Sequence, residues 1–176
     1  MVSLLVHAVL GLAVIGVIVA SNPHVFREPV APKVSVLEVV YYLAGIASVL
    51  IGYYFNIRFV SDYAHGAHNP FWGPGSWAEF MRLGYVNPAA SSASEDYTIA
   101  SVIVLPLFTI VDGRRRGVRR PWLYFLLVLT ASTAFAWAFY LATTERQRRL
   151  VAASSGEPAS SQTSPPGRRA TDTSPN

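Results

Sequence analysis

Cysteine is absent from the 176 residues. That absence excludes disulfides, thiolate metal sites and a cysteine nucleophile, and it leaves the redox compartment undetermined. Charge is scarce too. Only 14% of residues are Asp, Glu, Lys or Arg, against a usual share of about 25%. The sequence contains no nucleophile elbow, no phosphate-binding loop and no HExxH zinc motif. No familiar hydrolytic, nucleotide-binding or metalloprotease chemistry is therefore written in it, and no cofactor is implied.

What is present is apolar and segregated. Hydrophobic residues make up 52% of the chain, and the polar ones collect between apolar runs and in the last 25 residues. A net charge of +4 would by itself suit a nucleic-acid binder, but the arginines are placed otherwise. Arg114, Arg115, Arg116, Arg119 and Arg120 fall between two apolar runs, and Arg146, Arg148 and Arg149 follow the last. Basic clusters that flank apolar segments set topology and touch anionic lipid headgroups. The partners expected are membrane lipids, with a second copy or another membrane subunit beside them, and not nucleic acid.

A helix needs about 20 apolar residues to cross a hydrocarbon core of about 30 Å. Lipid-facing irregular backbone is excluded by the cost of unpaired amides. Each long run is accordingly expected to be a helix. The fold class expected is all-α: a polytopic transmembrane bundle of about four spans over residues 1–151, with a short interfacial helix and a disordered tail, 152–176.

The first run, 4–20, has His7 as its only polar interruption and ends at Ser21-Asn22-Pro23. A cleaved signal peptide is the competing reading. No Lys or Arg precedes the run, and Ile18-Val19-Ala20 is a poor cleavage pattern, so a retained helix is preferred. A proline-rich loop leads to the second run, 36–60, with tyrosines near both ends, as in interfacial aromatic belts. The connection 61–94 holds the turn cluster Asn69-Pro70-Phe71-Trp72-Gly73-Pro74-Gly75. Beyond it, Trp77, Phe80 and Met81 recur at helical spacing and predict a short helix lying in the interface.

Tyr97 to Val111 is too short to span, so the third span is extended to 93–113, with Ser94 or Asp96 as its cap and Pro106 as a kink. The fourth, 121–143, starts with Pro121 and Trp122 and is closed by Glu145-Arg146. Four spans place both termini on one side. The positive-inside rule then puts the 112–120 loop in the cytoplasm and both termini outside, by a thin margin, because Arg146 to Arg149 oppose it.

Within 37–150 a pattern of motifs recurs in order. Gly52-Tyr53-Tyr54-Phe55-Asn56 closes one helix, and Asn87-Pro88-Ala89-Ala90-Ser91-Ser92 precedes an acid, Asp96, at the next. Asp112-Gly113-Arg114-Arg115-Arg116-Gly117-Val118 leads through Trp122-Leu123-Tyr124 to the last span, and Glu145-Arg146 ends it. This resembles the small bacterial membrane proteins of the domain-of-unknown-function family numbered 2834. The resemblance implies a compact multi-span protein of a bacterial plasma membrane and supplies no reaction. The family pattern has a proline late in the last helix where this chain has Trp137-Ala138-Phe139, which implies a straighter last helix.

Ionisable groups at membrane depth are costly and so are default candidates for chemistry. Asp96, Asn56 and Arg58 form the candidate polar site, with an Arg58–Asp96 pair and Asn56 bonding between helices. Their structural alternatives are a helix cap for Asp96 and a snorkelling side chain for Arg58. Asp62, His65 and His68, spaced by three, are weak metal candidates, because Gly66 and Asn69-Pro70 oppose a helix there. The reading preferred is a non-catalytic packing or accessory bundle. Its rivals are a small ion or solute transporter using Asp96, and a membrane enzyme acting on a lipid or isoprenoid.

Overall fold

A computed structural model describes residues 2–64, 69 and 71–156. Among these residues the chain is helical, with no strand. The helices are α1 (Val2–Ser21), α2 (Pro23–Phe26), α3 (Val36–Tyr63), α4 (Trp77–Leu83), α5 (Pro88–Ile99), α6 (Leu105–Arg115), α7 (Leu123–Thr130) and α8 (Thr133–Ser154). Three of the expected helices are long and apolar enough to cross a membrane: Leu4–Ser21, Val36–Tyr63 and the continuous Pro88–Arg115.

The boundaries follow local chemistry. Ser35 caps α3 in a reciprocal box: its hydroxyl accepts from the Glu38 amide, while the Glu38 carboxylate accepts from the Ser35 amide at 2.6 Å. Asn87, not Ser94 or Asp96, caps α5, accepting from the Ala90 amide at 2.9 Å with Pro88 in the first turn. An asparagine followed by proline is the stronger start signal of the two. α5 joins α6 through one π-turn, Ala100–Val104, in which the Leu105 amide bonds Ala100. Pro106 lacks an amide hydrogen and crowds the carbonyl four residues back. The helix meets that constraint by widening just ahead of the proline. α4 is the short helix expected after the turn cluster, capped by Ser76 and packed by Phe80 edge-on against Phe59 at the end of α3.

The apolar run 121–143 is not one helix. It breaks at Ala131-Ser132, where Ser132 turns extended and caps α8 by accepting from the Phe135 amide. α7 and α8 then fold back on each other. Tyr124 Oη donates to Thr143 Oγ1 at 2.9 Å, and the Tyr124 and Tyr140 rings meet edge-to-face at 5.0 Å. In a straight helix, 19 residues would separate Tyr124 and Thr143 by about 28 Å. The chain ends its described part at the end of the bundle where α7 began.

Around this hairpin the long helices form a three-sided cradle. α1 runs antiparallel to α7, with Gly11 against the Thr130 carbonyl and Asn22 against Arg119. α3 runs antiparallel to α8, with Gly45 against Phe135 and Ala138. α6 lies alongside α8, where Phe108 meets Trp137 and Tyr140. The core is the hairpin's own surface plus its cradle: Ile18, Leu105, Leu123, Tyr124, Leu127, Ala136, Phe139 and Tyr140. α8 continues through Ser154, so the first residues assigned to a tail are helical. Residues 157–176 lie outside the described residues.

Candidate functional site

The fold sorts its polar groups to two places. The first is the end of the bundle shared by the close of α1, the start of α3, the close of α6 and the charged half of α8. Asn22, fully buried, donates from its amide to the carbonyls of Ile18 and Arg119 and accepts from the Arg119 backbone at 2.6 Å. Glu38, 1% exposed, bonds the guanidinium of Arg149 through Oε2, and its Oε1 lies 3.8 Å from Arg146. Arg146 donates to the carbonyls of Val25, Glu28 and Lys33 at 2.7–3.2 Å. Arg149 also bonds the Pro32 carbonyl, and Gln147 the Arg116 carbonyl.

Asp112 completes this cap. It accepts from Tyr140 Oη and from Arg116 Nε, each at 2.7 Å. Gly113 beside it has no room for a side chain, since a Cβ there would stand 2.7 Å from Pro121. The hydrogen bond that Arg116 donates to Asp112 raises its guanidinium above the ordinary range, and the bonds to Glu145 do the same for Arg148. Both remain cations at any working pH.

The second place is the tip of the hairpin, which reaches the middle of the three long helices. Ser132 Oγ is 2.8 Å from Ser48 Oγ of α3. Thr133 Oγ1 is 2.8 Å from Ser101 Oγ in the π-turn and donates to Tyr97 Oη at 2.8 Å. Thr130 and Ser101 return their hydroxyls to the carbonyls four residues back. The break in the backbone is thus lined by hydroxyls that bond one another across the helices, while Ser132 satisfies the Phe135 amide freed at the start of α8.

The residues singled out from sequence lie at the opposite end of the bundle from the charged cap. Arg58 is exposed and pairs with Asp62 at 3.7 Å, one turn along its own helix. Asp96 is exposed on α5, in the ninth residue of the helix rather than at its start. Asn56 is half-buried on α3. Arg58 therefore pairs with Asp62 and not with Asp96. Of the weak metal candidates, His65 and His68 lie outside the described residues. Among the described residues no three His, Asp or Glu side chains converge as a metal set.

Arg114, Arg115, Arg116, Arg119 and Arg120 are all exposed at the capped end. Arg146, Arg148 and Arg149 stand at that same end, which corrects their expected separation from the 112–120 loop. The cause is the hairpin: the last apolar run folds back on itself instead of running the length of the bundle. Glu38, an acid at the start of the second apolar run, is the buried centre of the cap. Ser35-x-x-Glu38 ahead of an apolar run was its sequence signal.

No curated protein and no solved structure matches this chain. One family model does, across residues 40–146, from the second turn of α3 to Arg146 in α8. By that match, the chain belongs to the family described as protein of unknown function DUF2834.

Proposed function

We propose that the chain is a multi-pass plasma-membrane protein with three spans and one re-entrant hairpin, serving as a non-catalytic packing or accessory bundle. One observation carries the reading: the division of charge between the two ends of a laterally apolar bundle. Arg27, Lys33, Arg114, Arg115, Arg116, Arg119, Arg120, Arg146, Arg148 and Arg149 stand at the capped end, while Arg58 and Arg82 stand at the other. Between the ends, α1 and α3 leave most of their apolar surface uncovered: 11% of each spanning window is buried. Soluble proteins rarely expose an apolar surface of that extent.

A membrane resolves both facts. The uncovered faces meet lipid or a neighbouring subunit, and the basic end faces the cytoplasm under the positive-inside rule. Three crossings and a hairpin then leave the N-terminus outside and the close of α8 inside. The hairpin tip lies near the bilayer midplane, where its hydroxyls and its cradle keep the broken backbone from lipid. Apart from Glu38 Oε1 and Gln147 Oε1, the buried side-chain polar atoms among the described residues have hydrogen-bond partners within the chain, which supports a structural role for them.

The cysteine-free sequence permits a clean test by single-cysteine labelling with a membrane-impermeant maleimide. Arg120→Cys and Ser155→Cys should both be shielded in intact cells and react after permeabilisation. Tyr85→Cys should react in intact cells. Labelling of Ser155→Cys but not Arg120→Cys from outside would restore four spans and sink this reading. Leu50→Cys, on the uncovered face of α3, should form disulfide-linked dimers in native membranes if the accessory bundle self-associates. A monomer under oxidation there and at Leu43→Cys would remove the self-associating form.

A further inference from the structure

Three arginines from two helices meet where α6 closes beside α8. Arg115, Arg116 and Arg148, with Gln147 and Val151, line an open groove of about 330 Å³. The amide of Gln147 bonds the Arg116 carbonyl and so fixes α8 against the end of α6. Two of the guanidiniums are braced from behind. Arg116 is held through Nε by Asp112 at 2.7 Å, and Arg148 through Nε and Nη2 by Glu145 at 3.0 Å.

The bracing leaves donors unspent. An arginine has five N–H donors in a rigid fork. Arg116 keeps its two terminal nitrogens and Arg148 keeps Nη1, while Arg115 has no ion pair among the described residues. Three guanidiniums against two carboxylates leave one net positive charge around the groove. A carboxylate offers two oxygens in one plane, whereas the tetrahedral oxygens of a phosphate accept from donors spread over several directions at once. Val151, 61% exposed, adds one apolar wall. The volume sits at the lower limit of small-ligand sites, which suits a headgroup-sized ligand.

We propose that this groove binds a phosphate-bearing anion through Arg115, Arg116 and Arg148. The ligand is either the phosphate of an anionic lipid headgroup or a small soluble phosphate compound. The lipid source rests on the three-span reading, whose maleimide test does not involve the groove, so the two can fail separately.

The test uses the full chain in mixed micelles of detergent and phosphatidylcholine, with an environment-sensitive dye on Ser155→Cys. Phosphatidylglycerol, glycerol phosphate and inorganic phosphate are titrated in separate arms. A saturable response is expected, weakened about fivefold per arginine removed in Arg115→Gln and in the Arg115→Gln, Arg148→Gln double variant. Arg27→Gln with Lys33→Gln, the same loss of charge elsewhere on the basic end, should change it by less than about twofold. Arg115→Gln alone decides the matter where the double variant does not fold, because that side chain has no ion partner to lose. A response to phosphatidylglycerol alone assigns the site to a lipid headgroup, and a comparable response to the soluble phosphates assigns it to a soluble ligand. Equal weakening by the two double variants, or no saturable response in any arm, overturns the site.

Discussion

Glu38 is the residue on which the charged cap turns. Its carboxylate is shared by the Ser35 amide, Arg149 and, more loosely, Arg146, with 1% of the residue exposed. Two arginines around one buried acid are stable only as a set, because each removed partner strands a charge away from water. Glu38→Gln keeps the shape and an acceptor for Ser35 but removes the charge. It should cost about 3–5 kcal/mol, read as a marked fall in the thermal unfolding midpoint of the detergent-solubilised protein. Replacing the pair by apolar residues, Glu38→Leu with Arg149→Met, should recover most of that loss, since a well-packed apolar pair often equals a buried ion pair. A Glu38→Gln protein as stable as the parent would show that the cap is ornamental. The sequence reading passed over this residue because an acid at the start of an apolar run looks like any interfacial acid. Its closest cation, Arg149, is 111 residues away, and no local pattern carries that distance.

At the scale of elements, the instructive case is the last apolar run. Its 23 residues, 121–143, match a span in length and composition, so counting hydrophobic residues could only return a crossing helix. The hairpin was nonetheless signposted. Thr130-Ala131-Ser132-Thr133 places three hydroxyl side chains in mid-run, and a serine immediately ahead of a helical stretch is a cap signal. What the sequence could not show is that Ser48 and Ser101, far along the chain, would stand ready to meet them. The helices α3 and α4 were legible for the opposite reason, since their apolar periodicity is local, and the third span was legible as a helix although its start was expected at 93 and lies at Pro88. The hairpin yields its own expectation. Thr133→Val keeps the volume and removes the bonds to Ser101 and Tyr97, for a cost of about 1–2 kcal/mol. Ser132→Ala removes a cap and the contact to Ser48, for about 1 kcal/mol. Ser92→Ala, exposed on α5, should leave the unfolding midpoint unchanged. If all three variants melt alike, the hydroxyls do not secure the tip.

For the whole molecule, the hairpin gives α1 a packing role, and we propose on that ground that the first run is retained. The family match begins at Val40 and leaves α1 outside it, as a removable leader would be. The packing says otherwise. Ile18 is fully buried in the central core, Val14, Ile15 and Val19 pack around it, and Gly11 sits against the Thr130 carbonyl at the hairpin tip. Asn22 pairs both ways with the Arg119 backbone and so ties the close of α1 to the turn before α7. Cleavage after Ala20 would take away the apolar side of the cradle that covers α7 and leave its surface to lipid. It would also expose the carbonyl end of α7 at mid-membrane, where unpaired backbone is costly. An N-terminal epitope placed ahead of α1 should therefore remain on the chain extracted from membranes. Asn22→Ala should lower the unfolding midpoint, because the Arg119 amide and carbonyl lose their buried partner, at about 1–3 kcal/mol. A purified chain lighter by the first twenty residues yet equally stable would mean that α7 is covered by something other than α1.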